Sequence, residues 1–165
     1  MILQHSSELA IRATLFLAQQ APGKLTPVHE IAADFGAPEA YLAKILQRLA
    51  AAGLVRSFRG PGKGMELGRA PEAITLSAVV RAAQGSTDSD ECVLGLSICS
   101  EENPCALHRD WLPLRTAISD LLEKTTLADL VRSVREQSSR SAAQLSEMVP
   151  IPADFGGDDK ERRQR

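Results

Sequence analysis

EIAADFGAPEAYLAKILQRLAAAGLVRSFRGPGKG, residues 30–64, carries the main clue to how this chain folds. Within it Leu42, Ile45, Leu46 and Leu49 recur at i, i+3, i+4 and i+7, the spacing of one helix face. Pro38 suits the first turn of that helix, and Gly53 suits the position just past its end. A shorter helix is expected before it, in TPVHEIAADFG (26–36), with Thr26 as cap, Pro27 at the first helical position and Gly36 as terminator. Two short helices joined by a tight turn containing glycine make a helix-turn-helix. LVRSF (54–58) and MELG (65–68) then bracket the Gly/Pro-rich RGPGKG (59–64), which predicts a hairpin with a basic tip. A helix-turn-helix followed directly by such a hairpin is the winged-helix arrangement.

Working outward, HSSELAIRATLFLA predicts an N-terminal helix starting after Ser6 or Ser7, with Leu9, Ala13, Phe16 and Leu17 at helical spacing. Glu8 and Arg12 interrupt its apolar pattern and no basic leader precedes it, so it reads as an amphipathic helix and not as a signal peptide. PEAITLSAVVRAAQG adds a helix near 75–84. LHRDWLPLRTAISDLLEK (107–124) places Leu107, Trp111, Leu114, Ile118, Leu121 and Leu122 mostly on one heptad-like stripe, as a dimer helix would. TTLADLVRSVREQ predicts one more helix, capped by Thr125 or Thr126. Past Ser138 the apolar pattern thins, so residues 138–165 read as a disordered tail. The expected class is mainly α with a small β-hairpin: a winged helix-turn-helix (1–85), a cysteine loop (86–108), and a long dimerisation helix with its successor (109–137).

The chain has 165 residues, about one domain, and no apolar run near the roughly 20 residues of a membrane span. Its net charge of −2 conceals a gradient. Residues 1–85 carry nine Lys/Arg against six Asp/Glu, a balance of +3, whereas residues 86–136 carry five against ten, a balance of −5. Between 40 and 69 stand Lys44, Arg48, Arg56, Arg59, Lys63 and Arg69, opposed only by Glu66. That asymmetry fits a surface that faces nucleic acid within an otherwise acidic protein. A recognition helix presents its N-terminal residues to base edges. Here these are Glu39, Tyr41 and Lys44, with Gln47 and Arg48 placed to hold phosphates and Arg59 and Lys63 on the hairpin tip. The expected partner is double-stranded DNA; the blander alternative is a solvated charged face.

All three cysteines lie in one polar loop, in the pattern C-x6-C-x5-C-x2-H formed by Cys92, Cys99, Cys105 and His108. An odd count argues against a closed disulfide framework and suits the reducing cytoplasm. Zinc sites usually use close C-x2–4-C pairs, which this loop lacks. The wider intervals suit something larger, such as an iron–sulfur cluster, and three thiolates leave one position for a weaker ligand. A zinc Cys3His site, a metal-free thiol switch and non-ligating cysteines stay open. No Ser/His/Asp arrangement, phosphate loop or paired carboxylates point to an enzyme or a small-molecule substrate.

Together these stretches resemble the winged-helix iron–sulfur transcription regulators of the IscR, NsrR and RirA type. SELAIRATLFLA, the 30–64 segment, EAITLSAVVRAAQG, the three-cysteine loop and TLADLV follow one another as in that family, over roughly residues 1–136. The resemblance implies a homodimer, a palindromic operator, and a 2Fe–2S or 4Fe–4S cluster whose state controls DNA affinity. It also implies a fourth ligand: His108, as in IscR-like members, or Glu8 of the partner subunit, as in NsrR-like members. Two features depart from the family. The wing tip often reads R-G-x-x-G-G, and here Lys63 replaces one glycine. The first cysteine interval is six residues, between the five of IscR-like and NsrR-like members and the seven of RirA-like ones.

Overall fold

Leu42, Ile45, Leu46 and Leu49, the stripe that defines the recognition helix, are all essentially inaccessible to solvent. The computed structural model describes residues 4–60, 63–84, 94, 101–102 and 104–148, the last nine as backbone only. Its elements run α1 (His5–Ala18), α2 (Val28–Phe35), α3 (Glu39–Ala51), β1 (Val55–Phe58), β2 (Gly64–Leu67), a 3-10 turn (Pro71–Ala73), α4 (Leu76–Gln84), α5 (His108–Lys124) and α6 (Leu127–Met148). The order is the expected winged helix, mainly α with one antiparallel hairpin. Residues 1–132 form one compact unit and 133–165 a second.

The core gathers one face from each helix of the first unit. Leu9, Ala13 and Leu17 of α1 meet Ile31 of α2, the α3 stripe, Val79 and Ala83 of α4, and Leu127 at the start of α6. Truncating a buried Leu of this kind to Ala typically costs about 2–5 kcal/mol. Gly53 holds φ +70° just past α3, as expected of a glycine that ends a helix and turns the chain into β1.

The wing is pinned at its base as well as along its ladder. Val55 pairs with Leu67, and Phe58 with Gly64. Thr26 adds a bridge to Met65, its N–H donating to the Met65 carbonyl at 2.9 Å and its own carbonyl accepting at 2.8 Å. This use of Thr26 corrects an expectation. Thr26 is extended and occupied by the bridge, so Pro27 takes the N-cap position and α2 begins at Val28. Ser6 and Ser7 likewise do not cap α1. The helix starts earlier, at His5 after Gln4, and both serines are buried inside it, where the Ser7 hydroxyl donates to the side-chain oxygen of Gln84.

Two expectations are revised at the C-terminal end. Thr126, not Thr125, caps α6: its hydroxyl accepts the Asp129 N–H at 3.2 Å, and Asp129 reaches back to the Thr126 N–H at 3.0 Å, a reciprocal box. Thr125 ends α5. Helix α6 also continues to Met148, past the boundary expected at 138. The apolar stripe thins there, but Ala, Gln, Leu, Glu and Met sustain a helix until Pro150. The remainder of the expected tail, 149–165, lies outside the described residues.

Candidate nucleic-acid interface and cysteine loop

Because the apolar stripe of α3 is turned wholly into the core, its other face is presented outward. Glu39, Tyr41, Lys44, Gln47 and Arg48 are all exposed, as are Arg59 and Lys63 of the wing. A groove of about 320 Å³ separates the helix-turn-helix from the hairpin, lined among others by His29, Glu39, Phe58 and Lys63. Thus Glu39 and Lys63, which are 24 positions apart in sequence, share one groove. The wing tip closes as a turn, the Lys63 N–H donating to the Gly60 carbonyl at 3.0 Å. Gly60 has φ +108°, which a side chain would strain.

The six basic residues between 40 and 69 divide into two sets. Three are engaged within the fold. Arg56 pairs with Glu66 across the hairpin at 2.8 Å, and Arg69 donates to the Ala52 carbonyl behind α3 at 3.3 Å. Arg48 donates through Nη1 to the Ala83 carbonyl in the last turn of α4 at 2.7 Å. The side chains of Lys44, Arg59 and Lys63 are exposed, and among the described residues none has a hydrogen-bond or ion-pair partner. They are the cations left over for an external anion.

Sequence reasoning passed over three residues at this surface. Phe58 is exposed at the end of β1 beside the basic tip, and His29 lines the groove with it. An aromatic next to RGPGKG, at the outward end of a strand whose Val55 faces inward, was the available signal. His5 was expected to be an unremarkable surface residue. Its ring stacks on Tyr41 of α3, with centroids 6.1 Å apart and planes 7° from parallel, while Nδ1 lies 3.5 Å from Glu8.

The cysteine loop is described only at its far end; Cys92 and Cys99 lie outside the described residues. Cys105 is half-buried and His108 opens α5 with its side chain buried. The His108 N–H donates to the Cys105 carbonyl at 3.0 Å, so sulfur and imidazole leave the same turn. This donor pair fits a thiolate-and-imidazole ligand set. Glu8 stands in the first turn of α1, exposed, with Arg12 Nη1 3.5 Å from its carboxylate.

On α5, Leu107, Leu114 and Leu121 fall seven residues apart and are 43%, 58% and 62% exposed, while Leu122 packs against the core. The stripe expected as one face is therefore divided between an inward and an outward face.

Residues 3–133 match the Rrf2 family, described as an iron-dependent transcriptional regulator. This chain belongs to the Rrf2 family. It is a DNA-binding transcriptional regulator built on a winged helix-turn-helix, and its relatives are regulators rather than enzymes. The Rrf2 chain is 36% identical to the HTH-type transcriptional regulator IscR of Erwinia tasmaniensis over 133 residues, 81% of this chain and 80% of that one. Among solved structures, CymR, the global cysteine regulator of B. subtilis, superposes with a TM-score of 0.68 at 28% identity, covering 81% of this chain and 98% of that one. T. potens IscR gives a TM-score of 0.66 at 26% identity, covering 83% and 90%. No helix among the described residues is long and apolar enough to cross a membrane.

Proposed function

We propose that this Rrf2 protein is a homodimeric repressor of palindromic operators whose DNA affinity is set by the chemistry of the 92–108 loop. The observation that carries the DNA-facing part is the set of unpartnered cations, Lys44 on α3 with Arg59 and Lys63 on the wing. Glu39, Tyr41 and Gln47 share the outward face of α3 and are the base-reading candidates. The outward leucines of α5 supply the second copy's docking face. Dimerisation through α5 then sets the separation of two α3 helices, which must be about 34 Å to read successive major grooves.

Within the loop, Cys92, Cys99 and Cys105 would hold an iron–sulfur cluster, with His108 or Glu8 of the partner subunit as fourth ligand. The Cys105–His108 turn favours His108, because it already brings imidazole and thiol together. Such a group supplies a centre that responds to redox state, nitric oxide or iron supply. A second function for the loop, a thiol switch without metal, is supported by the likeness to CymR, one of whose solved forms, from Staphylococcus aureus, is described as oxidised.

Anaerobic purification followed by iron, sulfide and zinc analysis separates these loop chemistries. Iron and sulfide together are the expected result; thiols with no metal would favour the switch, and about one zinc per chain a structural site. DNA contact is tested separately. Lys44→Ala and Arg59→Ala should each weaken operator binding and lower the slope of log K against log salt by about 0.9. An unchanged slope would remove that residue from the interface.

A further inference from the structure

Arg48 lies on the exposed face of the recognition helix, where a phosphate ligand is expected, yet its guanidinium turns to α4. The carbonyl that it holds belongs to Ala83, in the last turn before the cysteine loop departs. Carbonyls in a helix's last turn have no partner within the helix, and a cation there also opposes the negative end of the helix dipole. The same turn is held from a second side, by the Ser7 hydroxyl of α1 on the side chain of Gln84. The first turn of α1 in turn touches the recognition helix through the stacked rings of His5 and Tyr41. Two consecutive residues of α4, 83 and 84, therefore anchor both α3 and α1 where the loop begins.

We infer that Arg48 is a positioning residue, not a phosphate contact: it couples the state of the cysteine loop to the recognition helix through the last turn of α4. A loop that tightens or releases residue 85 moves the carbonyl that Arg48 holds, and with it the middle of α3. This inference rests on the proposed control of DNA affinity by the loop, and extends it with a route.

The test is a double-mutant cycle on a duplex selected by the wild-type chain from a randomised library. Affinities are compared for wild type, Cys105→Ser, Arg48→Ala and the double variant, each at several salt concentrations, with thermal melts to confirm folding. Coupling predicts that Cys105→Ser shifts affinity at least about fivefold in the wild-type background, but less than about twofold when Arg48 is Ala. It also predicts that Arg48→Ala keeps the wild-type salt slope. Equal shifts in both backgrounds would overturn the inference while leaving loop control intact. So would a slope reduced by about 0.9, the mark of a lost phosphate contact. No selected duplex, or no shift in the wild-type background, would overturn the proposed function and the coupling with it. If Arg48→Ala does not fold, Ser7→Ala cuts the second tie and is judged by the same ratio.

Discussion

Gly64 shows what one atom can decide at the residue scale. A Cβ there would sit 2.9 Å from both the Leu25 carbonyl carbon and the Thr26 nitrogen, which are backbone atoms that cannot swing away. Gly64→Ala should therefore push the wing off its Thr26 bridge, destabilising the fold by about 1–3 kcal/mol. A thermal melt checks this, and an unchanged Tm would show that the bridge yields. Its neighbour Lys63 is the opposite case. Lys63→Gly should leave the melt unchanged but weaken DNA binding and flatten its salt dependence. The basic cluster was legible in the sequence, because charge can be counted. Its division into engaged Arg48, Arg56 and Arg69 and available Lys44, Arg59 and Lys63 was not. Each engaged partner is set by chain packing, across 35 residues for Arg48 and Ala83. The need for glycine at 64 was hidden for the same reason.

At the scale of the element, α6 owes its start to Thr126 and Asp129. Hydrogen bonds from the Thr126 hydroxyl and backbone N–H hold the Asp129 carboxyl below its ordinary pKa, with Arg132 adding a smaller pull. A carboxyl depressed on folding adds stability that is fully present above its ordinary pKa and is lost as pH falls through the depressed one. The melting difference between wild type and Asp129→Asn should accordingly shrink below the usual carboxylate range; a difference constant with pH would contradict the capping role. Thr126→Ala should cost about 1 kcal/mol. A cap at one of two adjacent threonines could be read from sequence, but choosing between them needed Asp129 three residues on and the strand-like bridge between Thr75 and Thr126. Helix α5 makes a different demand. Leu107, Leu114 and Leu121 leave an apolar heptad in water in a single chain. Leu114→Glu with Leu121→Glu should yield a monomer by analytical ultracentrifugation with the helical signal retained. A dimer of unchanged affinity would place the interface elsewhere.

For the whole molecule, the winged helix was legible because its determinants are local: an apolar period, two helix-ending glycines and a turn-rich tip. The candidate DNA face followed, since burying one side of α3 exposes the other. What sequence could not supply was the connection between the two functional ends. Ser7 and Gln84 are 77 residues apart, and nothing in either local pattern marks them as partners. The loop chemistry was legible as donor types and spacing; at its described end, the turn joining Cys105 to His108 agrees with that expectation. The most direct test is the affinity of the anaerobically purified protein for its selected duplex, at one salt concentration, against a variant with Cys92, Cys99 and Cys105 all changed to Ser. Control by the loop predicts at least about a fivefold difference between two equally folded proteins. Identical affinities would contradict it, leaving a winged helix that binds DNA without consulting its cysteines.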